Sequence, residues 1–373
     1  MPVNLLCWLL GTAVVAGADP AADDAASPEF RLTRVAEYLA DEREKQHIPG
    51  MSVAVVLDDK PVWSRGFGVA DVENDVPAAP NTVYRIASIS RMITAVAVLQ
   101  LVQSGKIGLS ASVRDYVPEF PDKGERITVE HLLTHLSGIR ACKNRDELFN
   151  RKHYNRLIDT LELFSDDALL AEPGRRFINS PFGYTLLGLM IERVSGLAFG
   201  DYLRKHIFEP LGMKATGLED LPAVVPHRAR GYVVQKDGSL KNSYFVDLSV
   251  RYPADGMVST AEDLARFAVG LMTNKLLETP MVKVMTTEYE TKSGEKTHYG
   301  LGCFVREDGG RRIIGHRGWQ PQVASFLLIV PDRRAAVVVL ANLEQADVKA
   351  IALAVADMLL GEGEHQNPQT SNP

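Results

Sequence analysis

Tyr84-Arg85-Ile86-Ala87-Ser88-Ile89-Ser90-Arg91-Met92-Ile93-Thr94-Ala95 is the stretch on which the reading of this chain turns. An extended run, Val83 to Ile86, meets a segment from Met92 to Val102 that is apolar nearly all the way round, broken only by Thr94 and Gln100. A helix of that composition belongs inside a protein, and Gly105 is placed to end it. Ser88 therefore stands at a helix N-terminus, where unpaired amides and the positive dipole end favour a developing oxyanion. A residue three positions on lies over the same helix face, so Arg91 is expected to contact Ser88 Oγ. That spacing is the logic of Ser-x-x-Lys, in which a desolvated lysine loses its proton and activates the hydroxyl. Taken alone, the tetrapeptide reads better as a helix with Ser88 as its N-cap.

Working outward, apolar spacing at Leu32, Val35 and Leu39 predicts an amphipathic helix from Phe30 to about Gln46. Gly50–Leu57 and Pro61–Ala70 read as a strand and its return across Asp58-Asp59. The middle is helical in pattern, including 129–135, 183–194 and 200–206. Thr260 opens a helix with Glu262 and Asp263 in its first turn. Four strands are expected at 299–305, 312–316, 323–330 and 335–340, followed by an amphipathic helix from Asp347 to Leu360. Strands at both ends with helices between give an α+β body interrupted by a helical region.

The chain has 373 residues, enough for a sizeable core, and its net charge of −6 gives no electrostatic case for nucleic acid. Val3–Ala18 is apolar or small and ends in Ala16-Gly17-Ala18, a small-x-small cleavage pattern. It is short for a membrane span. Residues 1–18 are expected to be a signal peptide, although no Lys or Arg precedes the apolar run, and the product is expected to be secreted or periplasmic with no stable membrane span. A linker follows at 19–29, one domain at 30–362, and a disordered tail at 363–373. Within the domain, the sheet is expected from about 30–80 and 250–362, and the helical region from about 88–230. Of three cysteines, Cys7 would leave with the signal; Cys142 and Cys303 are read as free thiols rather than a disulfide framework.

The segment around Ser88 closely resembles the serine–lysine motif of the serine β-lactamase and penicillin-binding-protein-like family, which includes class C β-lactamases, D-alanyl-D-alanine carboxypeptidases, esterases and a mitochondrial lactamase-like protein. Further markers follow in order. They are His131-Leu132-Leu133-Thr134-His135-Leu136-Ser137-Gly138-Ile139, Pro173-Gly174, Gly183-Tyr184-Thr185-Leu186-Leu187-Gly188, Gly256–Leu264, Tyr299-Gly300-Leu301-Gly302 and His316-Arg317-Gly318. The resemblance covers most of the mature chain. It implies a β-lactamase/transpeptidase-like fold, with an antiparallel sheet flanked by N- and C-terminal helices plus a mainly helical region. It also implies an acyl-Ser88 intermediate on an ester, peptide or β-lactam, without a cofactor.

The chemistry departs from that family at each motif. Arg91 stands where the family has lysine, and a guanidinium, always protonated, cannot act as general base. Asn179-Ser180-Pro181 aligns with the second motif, so Asn179 replaces a tyrosine and offers no titratable group. At the third motif His316 and Gly318 match, but Arg317 and Trp319 do not. The resemblance makes the amide of Trp319 partner that of Ser88 in an oxyanion hole, with Trp319 and Gln322 adding bulk. Ser88, Arg91, Asn179 and His316 are the candidate catalytic positions; Arg317, Gly318, Trp319 and Tyr184 are the candidate substrate-binding ones. Tyr184 corresponds to a helix-packing residue of the family.

His316 is the titratable group left beside Ser88, so a Ser88–His316 mechanism is weighed against His316 merely packing or binding a carboxylate, the favoured reading. His131 and His135 have a spacing that binds zinc on a helix, but no glutamate base lies between them and no metal is expected. Arg91 and Arg317 make the pocket cationic and suited to a small-molecule or peptide acyl substrate bearing a carboxylate. Two functions remain open: an impaired serine acyl hydrolase, or a non-catalytic pseudoenzyme that binds a cell-wall peptide or a protein partner in the former pocket.

Overall fold

The structure, a computed structural model, describes residues 28–361. The expected signal peptide and tail lie outside the described residues. The linker was expected to run to 29, yet a helix already begins at Pro28, because a proline at the first helical turn lacks only an amide that would go unpaired there.

The large sheet comprises β1 (Gly50–Leu57), β2 (Lys60–Asp71), β3 (Val76–Pro77), β9 (Phe304–Asp308), β10 (Arg311–Gln320), β11 (Val323–Val330) and β12 (Ala335–Ala341). Smaller ladders use β4 (Tyr84–Arg85), β5 (Gly217–Leu218), β6 (Tyr232–Val234), β7 (Leu240–Asn242) and β8 (Met257–Ser259). The seven-stranded order is β3-β2-β1-β12-β11-β10-β9, antiparallel throughout. The two-residue period of a strand divides each central strand between two cores. Val53 and Val55 of β1, Phe326 and Leu328 of β11, and Val337 and Val339 of β12 face one apolar cluster. Ala54 and Val56, Leu327 and Ile329, and Val338 and Leu340 face the other.

Helices α1 (Pro28–Lys45) and α7 (Val348–Leu360) cover the first face through Val35, Leu39, Ile351 and Val355. On the other face lie α2 (Ile89–Gln103), α3 (Val129–Leu133), α4 (Pro181–Ser195), the short α5 (Tyr252–Asp255) and α6 (Ala261–Met272). Every residue of α2 from Ile89 to Leu99 is buried, as its all-round apolar composition required. Thr94, its polar exception, satisfies its hydroxyl by donating to Pro253 O at 2.7 Å. Truncating a fully buried member such as Leu99 to alanine is worth about 2–5 kcal/mol.

Three elements differ from expectation. Residues 299–303 form a loop, and the strand begins only at Phe304. A Cβ on Gly300 would lie 2.3 Å from Met285 O, and one on Gly302 (φ +85°) would lie 2.4 Å from Ala95 Cβ. The glycines thus let this loop close tightly onto α2 instead of extending. The helix expected at 129–135 stops at Leu133, with His135 in the left-handed region at φ +61°. At 200–206 an α-helix, Phe199–Leu203, passes into a π turn, Arg204–Phe208. Among the described residues, no helix is long and apolar enough to cross a membrane.

Candidate active site

The turn that presents Ser88 is fixed from below. β4 pairs with β8, Arg85 opposite Val258, and the buried Arg85 guanidinium grips Glu219 at 2.7 and 2.9 Å while also donating to Val246 O. Two parallel charge-assisted bonds hold the strand with little play. Ile86 N–H donates to Met257 O, and the chain then reverses through Ala87 at φ +48°, a left-handed conformation strained for any residue with a Cβ. Ser88 follows as the N-cap of α2, but its side chain makes no capping bond. Its Oγ donates instead to Asp255 Oδ1 at 2.6 Å. The hydroxyl has been taken from structural duty and handed to a carboxylate.

Gly318 of β10 closes on this turn. A Cβ there would stand 2.1 Å from Ser325 Oγ, 2.5 Å from Ile86 O and 2.9 Å from Ala87 Cβ. Ser325 Oγ itself donates to Ile86 O at 2.8 Å. Close approach puts the Gly318–Trp319 peptide beside the Ala87–Ser88 turn. The pairing of β10 with β9 ends at Gly315 opposite Phe304, so the backbone from His316 to Gln320 presents an open edge to the cleft.

Arg91 is buried beneath Ser88, but its guanidinium does not bond the hydroxyl as the helical spacing suggested. Nη2 reaches Asp255 Oδ1 at 3.4 Å, and Nη1 donates to Asn179 Oδ1. The group also lies over the Tyr184 ring, 5.7 Å from its centroid. A buried cation needs a counter-charge, and Asp255 supplies it, so Arg91 reaches Ser88 only through that carboxylate. Arg251 Nε approaches Asp255 Oδ2 at 3.5 Å from the opposite side. Gln320 Nε2 donates to the Asp255 backbone carbonyl at 3.3 Å.

His135 stands behind Arg91, its ring among Phe177, Tyr184 and Tyr299. Burial, then Arg91 and His316, hold it far below the ordinary histidine range, so it is neutral. The Ser180 amide approaches Nδ1 and Arg91 Nη1 approaches Nε2, each at 3.3 Å. A neutral imidazole has one acceptor nitrogen, so one of these donors faces the ring N–H. His131 instead accepts from the Thr128 amide in a capping box of α3, apart from this cluster. Among the described residues, no group of three or more His, Cys, Asp or Glu is placed to hold a metal.

His316 is engaged at both nitrogens. Nδ1–H donates to Arg317 O at 2.8 Å, leaving Nε2 to accept from Tyr299 OH at 2.9 Å. Burial pushes its pKa down to about 3, with Arg91 acting in the same direction. Neither nitrogen is turned to Ser88, so the Ser88–His316 mechanism has no geometric support. Burial raises Tyr299 well above the ordinary phenol, so it serves as a donor rather than a base. Tyr184 also departs from expectation. It is fully buried, its hydroxyl donates to Leu133 O at 3.0 Å, and it supports the site from within α4 instead of meeting substrate.

Ser88, Arg91, Asn179, His316, Arg317 and Trp319 do line one cleft of about 930 Å³. Gly318 contributes by its closeness to Ala87 and not by lining. The sequence reading missed Asp255, Arg251 and the cleft residues Lys143 and Arg306, and it named Tyr299 as a marker without a role in the site. Asp255 directly precedes the marker that begins at Gly256. An isolated acid ahead of an apolar strand was visible there, but nothing in the spacing said which hydroxyl it would face. Five cationic residues line the cleft against the single carboxylate of Asp255, so its field is positive although the chain as a whole carries −6. Cys142, half-buried at the rim, and the buried Cys303 are unpaired.

Comparisons with known proteins agree with this architecture. A family model described as Beta-lactamase matches residues 35–361. The serine beta-lactamase-like protein LACTB, mitochondrial, of Homo sapiens is 31% identical over 83% of this chain and 76% of its own length. Protein flp of Staphylococcus aureus (strain MW2) is 30% identical over 92% of this chain and 68% of its own. An octameric penicillin-binding protein homologue from Pyrococcus abyssi superposes with a TM-score of 0.76 at 28% identity, covering 89% of this chain and 78% of that one. A D-amino acid amidase from Ochrobactrum anthropi SV3 (TM-score 0.76, 24% identity, 88% and 97% covered) shares the fold. With Ser88 at the head of a buried helix, Gly318 closing on it and the family match running from residue 35 to 361, the chain belongs to the serine β-lactamase-like family.

Proposed function

We propose that the protein is a serine acyl hydrolase that forms an acyl-Ser88 intermediate on an ester, amide or β-lactam carrying a carboxylate. One observation bears most of this reading. The Ser88 hydroxyl, free of any capping role, is held 2.6 Å from a carboxylate at the wall of an open cleft. The helix N-terminus favours the oxyanion, and Arg251, Arg306 and Arg317 favour a ligand anion. Turnover is expected to be slow, because Arg91 cannot give up a proton and Asn179 has no titratable group.

A second reading is favoured by the same Arg91. Its burial among Asp255, Asn179 and His135 stabilises the resting arrangement, which suits a protein that binds a cell-wall peptide or a protein segment without cleaving it. The deciding experiment incubates the protein, and Ser88→Ala, with a fluorescent penicillin and a fluorophosphonate and records intact mass. A stoichiometric adduct on the wild type that is absent in Ser88→Ala is expected. Tight binding of a muropeptide with no adduct from either probe would sink the hydrolase reading in favour of the binding protein.

A further inference from the structure

We infer that Asp255 is the catalytic proton acceptor for Ser88, and that Arg91, at the position where the family's serine–lysine motif has its lysine, is a positioning residue for that carboxylate. The inference rests on the acyl-Ser88 reading and says how the hydroxyl is activated. Elimination and contact both point to it. The guanidinium of Arg91 is a hydrogen-bond donor with no lone pair to take the proton. Asn179 does not titrate, and its Oδ1 is committed to Arg91. His316 has both nitrogens engaged, and Tyr299 spends its proton on His316. Tyr184 is sealed against Leu133 O. Among the hydrogen bonds of Ser88 Oγ, the one at 2.6 Å to Asp255 Oδ1 is with a group able to take its proton.

The surroundings hold Asp255 for that task. Arg91 Nη2 meets the same Oδ1 that accepts from Ser88, and Arg251 Nε stands 3.5 Å from Oδ2 without a hydrogen bond, so the carboxylate lies between two guanidinium charges. Its backbone is anchored by the Gln320 amide. The exchange of roles is mutual. A neutral residue at 255 would leave Arg91 a buried charge without its carboxylate, and a neutral residue at 91 would leave Asp255 with only the approach of Arg251.

The steps balance without a co-reactant. Ser88 Oγ attacks the acyl carbon as its proton passes to Asp255 Oδ1, and the carbonyl electron pair moves to the oxygen. When the tetrahedral species collapses, the bond from the acyl carbon to the leaving group breaks, and the leaving group takes the proton from Asp255. Water then attacks acyl-Ser88, giving a proton to Asp255, which returns it to Ser88 Oγ as the acid departs.

The test measures the second-order rates at which Ser88 is acetylated by an activated ester (p-nitrophenyl acetate) and phosphonylated by the fluorophosphonate. Asp255→Asn is expected to lower both roughly 100-fold, within the range for removing a general base. Adding Arg91→Lys to Asp255→Asn is expected to recover at least tenfold, because a lysine can accept the proton that asparagine cannot. If Asp255→Asn does not fold, Asp255→Glu, which keeps the charge but displaces it by one methylene, is expected to slow acylation at least tenfold with a near-normal melting temperature. Acylation of Asp255→Asn or of Asp255→Glu at the wild-type rate overturns the inference while leaving the acyl-enzyme reading intact. A wild type that gives no Ser88 adduct with either probe overturns both.

Discussion

Replacing His316 with glutamine should flatten the acid side of the stability profile, and the size of the effect follows from the site. The residue is 7% exposed, with Nδ1–H on Arg317 O and Nε2 accepting from Tyr299. Protonation would break the bond from Tyr299 and place a charge beside Arg91. Burial first, then that arginine, brings the folded-state pKa from 6.5 to about 3. Between these values the unfolded chain binds the proton and the folded chain does not. Stability is therefore whole above pH 6.5 and lost progressively as pH falls toward 3. At pH 5 the loss from this one residue is about 2 kcal/mol, since each pKa unit is worth about 1.4 kcal/mol. Urea denaturation at pH 7.5 and pH 5.0 should show the wild type losing about 2 kcal/mol more than His316→Gln. His135, also held neutral by burial, is present in both proteins and drops out of the comparison. Imidazole ¹⁵N shifts should report a neutral Nδ1–H tautomer at pH 5. Equal losses in the two proteins, or a His316 resonance titrating near 6.5, would refute the reasoning.

Gly318→Ala places a methyl group 2.1 Å from Ser325 Oγ and 2.5 Å from Ile86 O, so it should cost roughly 1–3 kcal/mol by denaturation and sharply slow any Ser88 labelling. A variant that labels normally would mean that the closeness of β10 to the turn is incidental. Trp319, half exposed at the mouth of the cleft, should tolerate alanine within about 0.5 kcal/mol while speeding reaction with the bulky penicillin more than with the small ester. Equal effects on both probes would remove its role as an obstacle.

The legibility of the sequence varied with how local each feature is. α2 was plain because an all-apolar helix has one place to go, and β1, β11 and β12 because two-sided burial writes continuous apolar runs. The loop at 299–303 was not, since Gly300 and Gly302 respond to Met285 O and Ala95, which no neighbour in sequence announces. The same division runs through the site. Ser88 was found from its helix start, whereas Asp255 meets it across 167 positions. Arg91 was found but its direction was mistaken. Helical spacing fixes where a Cβ lies, but the guanidinium at the end of a long side chain goes to the nearest counter-charge, here Asp255.

The unpaired stretch of β10 from His316 to Gln320 has a consequence for the behaviour of the folded chain. An open strand edge is a template on which any extended peptide can pair, a second molecule of the same protein included. Arg317 and Trp319 alternate outward along it, one repelling like-charged copies and one adding an apolar surface, while the cleft walls keep the edge recessed. Neutralising Arg317 thus removes more than a ligand contact. It takes away a positive charge that two copies would have to bring together in order to pair edge to edge, so this short strand bears both on what the protein can bind and on whether it binds itself.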